Sequence, residues 1–376
     1  MNKSVYIHVP FCRSKCPYCD FYSLRSDDAA MDAYVQAVKQ HLQRFGEENN
    51  FTAGTVYFGG GTPSLLGAAR LSALLEAVDR HFPLAGGAEV TAEVNPAGWE
   101  NDFFKHLKSS GFTRISAGMQ SVNPEELRLL GRTHTPEDLQ RTADAVHNAG
   151  FSHFSLDLMT ALPVKEHRED NLRRSVLACE ALGADHVSAY ILKVEDGTFY
   201  GTHRERYAFP DEDTACDDYT LVAQALEQLG YMQYEISNFA KPGGESRHNL
   251  VYWHDEEYLG IGPAAHSFLN GQRFFYPRSL QDFIAGHAPE ADGPGGSFEE
   301  FVMLGLRLTE GVSRTEAARR YTDGSGRFDA ILSRAKQLEK QQPKHDPVLR
   351  VTENNIALTR SGFLVSNTII AALLDL

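Results

Sequence analysis

The chain has 376 residues, 42% of them hydrophobic and 23% charged, and a formal net charge of −14 at pH 7. That length and balance describe a folded protein with a large core. The acidic surplus excludes a general nucleic-acid-binding surface, which needs a positive field, and the apolar run at 369–374 is far short of the roughly 20 residues of a membrane span. The stretch Met1 to Tyr6 lacks the apolar run of a signal peptide. A cytoplasmic, reducing setting without stable membrane insertion is the expectation.

In chain order, β-rich apolar runs alternate with helical patterns. Residues 5–9 read as a strand and 28–45 as a helix. A second strand at 55–58 runs into Gly59-Gly60-Gly61, with a helix at 68–82. Strands at 89–94, 114–120, 154–159 and 186–192 are each followed by a helix, at 100–109, 136–148, 170–182 and 213–229. Gly46, Gly111, Gly150, Gly183 and Gly230 stand where helices should stop. Six strand–helix units in succession predict a parallel sheet with right-handed crossovers.

An open doubly wound sheet gathers its ligand residues at one switch point. A full or partial barrel spreads them round its C-terminal strand ends. Here a cysteine loop follows strand one and the glycine run follows strand two. Glu93 and Asn95 end strand three, Gln120 ends strand four, and Asp157 and Tyr190 lie late in strands five and six. That distribution favours a barrel, although Asn95 and Ser121 would also serve as helix caps.

Beyond Gly230 the segment 234–268 is rich in aromatics, glycine and histidine, and 291–297 reads as a linker. A helical pattern then carries Phe301, Leu304 and Leu308. A second helix covers 328–341, residues 349–351 and 356–358 form a hairpin turning at Glu353-Asn354-Asn355, and a last helix starts near Ser361. The expected organisation is a barrel over 1–232, a connecting region over 233–290 that completes the core, and a helical, winged-helix-like domain over 298–376. Its wing suggests DNA binding by form, but the acidic balance favours a structural or lid role.

Cys12, Cys16 and Cys19 are spaced Cys-x3-Cys-x2-Cys. Three thiolates on one loop hold three corners of a [4Fe–4S] cube and leave the fourth iron open to a small molecule. Structural zinc prefers four ligands in spaced pairs, and no second pair exists. Five cysteines without a secretory start do not make a disulfide framework, and Cys179 and Cys216 read as packed small residues. Pro17 keeps the motif out of a helix, freeing backbone N–H groups for sulfur, and Tyr18 can stack on a ligand. The run Gly59-Gly60-Gly61-Thr62-Pro63 permits close backbone approach, suiting the amino group of an amino-acid-like ligand; alone it is equally a plain turn. Glu93 and Asp157 sit in apolar strands and need a partner: a ribose hydroxyl, a cationic sulfonium, or Arg132 in a structural ion pair.

Cys-x3-Cys-x2-Cys after the first strand, Gly-Gly-Gly-Thr-Pro after the second and Glu-Val-Asn-Pro after the third resemble the radical S-adenosylmethionine superfamily. Gly-Met-Gln-Ser at 118–121 and Leu-Asp-Leu-Met at 156–159 continue the match. Within the superfamily the chain resembles the oxygen-independent coproporphyrinogen III oxidase group along nearly its whole length. The resemblance implies an α/β fold, a partial (βα)6 TIM-like barrel with the small C-terminal domain. It implies a 4Fe-4S cluster on Cys12, Cys16 and Cys19, and S-adenosyl-L-methionine chelating the open iron and cleaved by one electron to methionine and a 5′-deoxyadenosyl radical. Tyr6, Gly60, Gly61, Thr62 and Glu93 match positions that contact this cofactor. Gln120, Arg132 and Asp157 match further contacts of the oxidase, which holds a second cofactor molecule, with Ile191 and His266 aligned more weakly beside them.

Two departures point to another subgroup. The oxidase has a further cysteine where this chain has Phe21, and a longer segment before its first strand; both departures argue against oxidative decarboxylation. Instead, His248-Asn249-Leu250-Val251-Tyr252-Trp253 is similar to the His-Asn-x-x-Tyr-Trp motif of the HemW-type haem chaperones. An imidazole suits haem iron and aromatic rings suit the porphyrin face, so the resemblance implies haem on His248, with His254 and His266 as rivals. Ala161 stands where relatives often have glycine, a local change in a turn.

The resulting expectation is a haem-binding chaperone that carries the cluster and cofactor, takes an electron from a donor and passes haem to an acceptor, a respiratory haem protein being the candidate. The alternative is a radical enzyme acting on a tetrapyrrole by decarboxylation or haem modification. The plainest is an iron–sulfur scaffold that binds no tetrapyrrole.

Overall fold

The computed structural model describes residues 2–25, 27–99 and 102–375. Its core is six parallel strands laid side by side in chain order: β1 (Asn2–Val9), β2 (Thr52–Gly60), β3 (Leu84–Val94), β4 (Arg114–Gln120), β5 (His153–Thr160) and β6 (His186–Ile191). The order never reverses, so there is no switch point, and the sheet winds as a barrel does. It does not close. β6 takes up β8 (Asn238–Ala240), antiparallel and paired in turn with β7 (Met232–Gln233). On the far edge β1 receives β9 (Tyr258–Ile261) in parallel. β10 (His266–Leu269), β11 (Gln272–Phe275) and β12 (Glu290–Pro294) extend that edge antiparallel. The result is a partial (βα)6 barrel within a twelve-stranded sheet.

Helix boundaries follow local chemistry. Helix Pro136–Asn148 opens with proline at its first position and a reciprocal Thr135–Asp138 capping box, a strong start signal. Gly111, Gly150, Gly183 and Gly230 take positive φ of 103°, 81°, 71° and 84° and end their helices as expected. Gly46 does not. The helix Asp28–Glu48 runs through it, and a Cβ there would lie 2.9 Å from that of His81, so this glycine serves helix packing. The expected helix at 100–109 is found at Phe103–Ser109; its positions 100 and 101 lie outside the described residues. Residues 291–297, read as a linker, instead supply most of edge strand β12.

The barrel and its helices bury one large hydrophobic cluster and a smaller one around Leu130, Leu162 and Tyr200, and the C-terminal segment builds another around Phe298, Phe301, Phe328 and Leu373. There the hairpin Leu349–Val351 and Asn355–Leu358 joins Val312–Ser313 in a small antiparallel sheet, beside helices Arg314–Arg320 and Gly324–Gln341. This unit is tied to the barrel by the Ile236 N–H on the Arg307 carbonyl (2.9 Å) and by Arg360 on Glu227 (3.1 Å). Among the described residues, no helix is long and apolar enough to cross a membrane.

Candidate cofactor site

The cysteine loop leaves the C-terminal end of β1 and is pinned at both ends. Cys12 N–H donates to the Leu24 carbonyl (3.0 Å), and Leu24 N–H to that of Pro10 (2.8 Å). A turn closed by Cys19 N–H on the Cys16 carbonyl (3.2 Å) shapes the loop around Pro17. All three thiols are free and partly exposed. Burial first, then the neighbouring Cys16 and Cys12, push the Cys19 thiol up against a lowering bond at Phe21. Three such sulfurs ionise together only beside a compensating cation, which an iron cluster supplies. Among the described residues no group of three or more metal-ligating side chains is already gathered, so it is the chemistry of three thiols on one short loop that suits the cluster. The donor set therefore fits a cluster with one open iron.

The glycine run does different work from that expected. Gly61 N–H donates to the Val9 carbonyl (2.8 Å) and Thr62 N–H to that of Phe11 (2.7 Å), and Thr62 Oγ1 lies 3.5 Å from Cys12 Sγ. The run fastens the cysteine loop to β2. Gly60 takes φ 108°, and its N–H donates to Glu93 (3.2 Å). Asn95 is no helix cap: it accepts from Arg132 Nη1 (3.0 Å), while Nη2 donates to the Tyr18 hydroxyl (3.0 Å). Arg132 thus ties the loop to the ends of β3 and β4. Among the described residues its buried Nε has no partner, a donor left for a ligand. Gln120 is buried at the end of β4 with φ 64°, a conformation a non-glycine residue holds at a cost and which clusters at functional sites.

Beneath the loop lies a cavity of about 210 Å3 inside the barrel. Its lining follows the period-two rule of strands: Tyr6, Tyr57, Thr91 and Glu93, Arg114 and Ser116, Ser155 and Asp157, then His186, Ser188 and Tyr190. Tyr57 donates to Glu93 at 2.9 Å. Burial, then repulsion from Asp157, lifts Glu93 to about 7. Burial lifts Asp157 to about 6 against bonds from Ser188 and Ser116 and the Arg132 charge. Two carboxyls held partly protonated beside a cavity invite a cation or hydroxyl groups. Tyr6 bonds His8 Nδ1 (3.0 Å), and His8 Nε2 reaches the Tyr22 carbonyl (3.2 Å). The carbonyl accepts only, so Nε2 carries the proton and Tyr6 donates. The structure thus brings Tyr6, Glu93 and Asp157 to one cavity, with Gly60, Gly61, Thr62, Gln120 and Arg132 at its cysteine end. Ile191 is exposed at the end of β6, and His266 is exposed at the start of β10, stacked on Phe275; neither lines the cavity.

His248 closes the opposite end. It sits on the helix Arg247–Trp253, buried, with Nδ1 2.6 Å from Thr55 Oγ1 and Nε2 2.8 Å from the Tyr252 hydroxyl. Thr55 spends its proton on Ser4 (2.8 Å), so Nδ1 donates and the Nε2 lone pair accepts from Tyr252. Burial drops the imidazole to about 3, keeping it neutral. His254 is partly exposed beyond the helix, paired with Glu310 at 2.9 Å.

Residues 6–174 match the Radical SAM superfamily. The heme chaperone HemW of Mycobacterium tuberculosis is 37% identical over 390 residues, spanning 98% of this chain and 94% of that protein. HemW of Bacillus subtilis is 33% identical across 99% of both chains, and HemW of Escherichia coli 37% identical over 83% of this chain and 84% of its own length. The chain belongs to the HemW family of radical SAM proteins. The structure of coproporphyrinogen III oxidase (HemN) from Escherichia coli superposes with TM-score 0.82 at 21% identity, over 98% of this chain and 89% of that one, so the two share a fold. In this HemW-family chain the position of the oxidase's extra cysteine is Phe21, 66% exposed. Family membership implies the 4Fe-4S cluster and S-adenosylmethionine for which the donor set was found fit. Tyr57, Thr91, Arg114, Ser116, Ser155, His186, Ser188 and Ser246 also line the cavity and escaped the sequence reading. Their signal was polar residues recurring every second position within β4 to β6.

Proposed function

We propose that this chain is a haem chaperone: it binds haem, carries a 4Fe-4S cluster on Cys12, Cys16 and Cys19, and transfers haem to an acceptor protein in the cytoplasm. The near-full-length likeness to proteins named heme chaperones carries the reading. Tyr6, Gly60, Gly61, Thr62, Glu93, Gln120, Arg132 and Asp157 would hold S-adenosylmethionine beside the open iron of that cluster. When bound, the cluster supplies one electron to the sulfonium; the chain's own residues position it. Glu93 and Asp157 would face the cationic and ribose parts of the cofactor, and, with the N–H groups of Gly60, Gly61 and Thr62 already engaged, carbonyl oxygens of the glycine run would accept from its amino N–H groups.

His248 enters the proposal as the motif's haem ligand. Its Nδ1–H is held by Thr55, as the second nitrogen of a ligating histidine usually is, and its Nε2 becomes available once Tyr252 and the motif helix draw back. Anaerobically reconstituted protein titrated with haemin should give a stoichiometric Soret shift that His248→Ala weakens. Product formed from coproporphyrinogen III under reducing, anoxic conditions would overturn the chaperone reading, and the absence of both signals would leave an iron–sulfur scaffold.

A further inference from the structure

The helix Arg247–Trp253 has a second face. His248, Asn249 and Tyr252 border the barrel cavity, whereas Arg247, Leu250 and the capping residue His254 border a separate cleft of about 700 Å3. Its other walls come from the N-terminal ends of β3 to β5, including His153, and from Leu308, Thr309 and Glu310 of the C-terminal unit. The cleft therefore lies on the side of the barrel away from the cysteine loop, and its volume falls within the range of sites that enclose large organic ligands.

Two histidines line it, each with one ring nitrogen taken by a carboxylate. His153 Nδ1 lies 2.6 Å from Asp185 Oδ2, and Asp185 Oδ1 accepts the Phe154 N–H at 2.8 Å. His254 Nε2 lies 2.9 Å from Glu310 Oε1. Among the described residues His153 Nε2 and His254 Nδ1 have no hydrogen-bond partner. A carboxylate on one nitrogen fixes the tautomer that leaves a lone pair on the other and makes it more basic; metal-ligating histidines carry this partner. Both side chains are about one-third exposed, at 32% and 33%, so neither must leave a core to meet a metal, unlike His248. Arg247 is exposed with Nη2 2.6 Å from the Gly87 carbonyl, which holds a guanidinium at the edge of the cleft, the group that best pairs with carboxylates. Of the acidic groups alongside, Glu89 is neutralised by Arg114 and the N–H groups of Arg247 and His248, Glu310 is paired with His254, and among the described residues Glu245 has no ion pair.

We infer that this cleft seats an iron porphyrin, with His153 Nε2 as the imidazole facing the iron and with His254 and Arg247 bordering the ring, the guanidinium toward the propionates. The inference rests on the haem reading and adds the place where haem is received while the barrel floor stays closed. The test uses the full chain with its cluster reconstituted, titrated anaerobically with haemin and followed by Soret absorbance. The double variant His153→Ala with His254→Ala should raise the Kd at least tenfold, while the cluster absorbance and the thermal unfolding midpoint stay unchanged. Arg247→Ala should raise it severalfold. If the alanine pair unfolds, His153→Gln with His254→Gln keeps the polar bonds and should show the same loss. Wild-type affinity in the double variant, with the Soret shift lost in His248→Ala, overturns the cleft and leaves the haem reading standing. No Soret shift in the wild type removes both.

Discussion

Glu89 accepts the backbone N–H of His248 at 3.0 Å, so a charge on β3 anchors the first turn of the motif helix. The same carboxylate pairs with Arg114 at 3.2 Å, and that guanidinium also donates to Ser155 Oγ (3.1 Å) and the Glu245 carbonyl (3.0 Å). Arg114 is 1% exposed. The barrel floor is thus a buried ion pair whose members each hold several partners, the condition under which such pairs persist, although among the described residues Arg114 Nε has none.

Removing one member strands the other. Arg114→Ala should cost about 3–5 kcal/mol, the usual effect of leaving a buried charge unpaired, read from urea unfolding of the cofactor-free chain. Arg114→Met combined with Glu89→Gln should cost less than Arg114→Ala, because no naked charge remains. Equal losses would mean the packing of the side chains, not the charge, sets the effect.

Stability should also fall as pH rises. In the unfolded chain Glu93 and Asp157 return toward 4.5 and 3.8, whereas folding lifts them to about 7 and about 6. The folded form therefore holds protons that the unfolded form releases. Their contribution is full below about pH 4 and is lost as pH climbs toward 7. Glu93→Gln should flatten the decline. Binding a sulfonium reverses the preference by favouring the carboxylates, so S-adenosylmethionine added to the reconstituted protein at pH 6 should release protons. Calorimetry in buffers of different ionisation enthalpy measures that release, and zero release would remove Glu93 and Asp157 from the cofactor's surroundings.

Gly61 tests the fastening of the cysteine loop. A Cβ there would sit 2.7 Å from the Phe11 carbonyl oxygen and 2.9 Å from both the Phe11 nitrogen and the Val9 oxygen, all backbone atoms with no side chain to yield. Gly61→Ala should cost about 1–3 kcal/mol, as overpacking does, and at least halve the iron and sulfide bound per chain. Gly86→Ala, with nothing within 4 Å, is the matched control and should bind the full cluster.

Much of this architecture is legible before any coordinates. Pro136 with the Thr135–Asp138 box, and the alternation of β4, leave few alternatives for their segments, and both bounds fall where expected. Tertiary pairing decides what local pattern cannot. Residues 291–297 look like a linker because glycine and proline dominate them, yet the first four gain strand structure in β12 by pairing with β11. Gly46 looks like a stop because nothing in the sequence announces His81 beside it. At the site, the cysteines are visible through spacing alone. Arg114 and His186 are not, since an inward polar residue on a barrel strand looks the same as an outward one until the register is known. The tautomer of His248 needs the chain of bonds through Thr55 and Ser4, which joins three distant segments.

Ala161 offers a change in the opposite direction. It follows β5 with φ 58° and is 4% exposed, in a position where an L-residue is strained and glycine is not. The turn is held from outside: Asp218 takes a backbone bond from Ala161 and pairs with Arg168 at 2.9 Å. The surroundings therefore impose the left-handed conformation whether or not the residue prefers it. Ala161→Gly relieves the strain, and the greater freedom of glycine in the unfolded chain offsets part of the gain. The expected net effect is about 0.5–1 kcal/mol of added stability, seen as a higher urea midpoint at unchanged slope. A lower midpoint would show that the methyl group contributes more through packing than it costs in backbone strain.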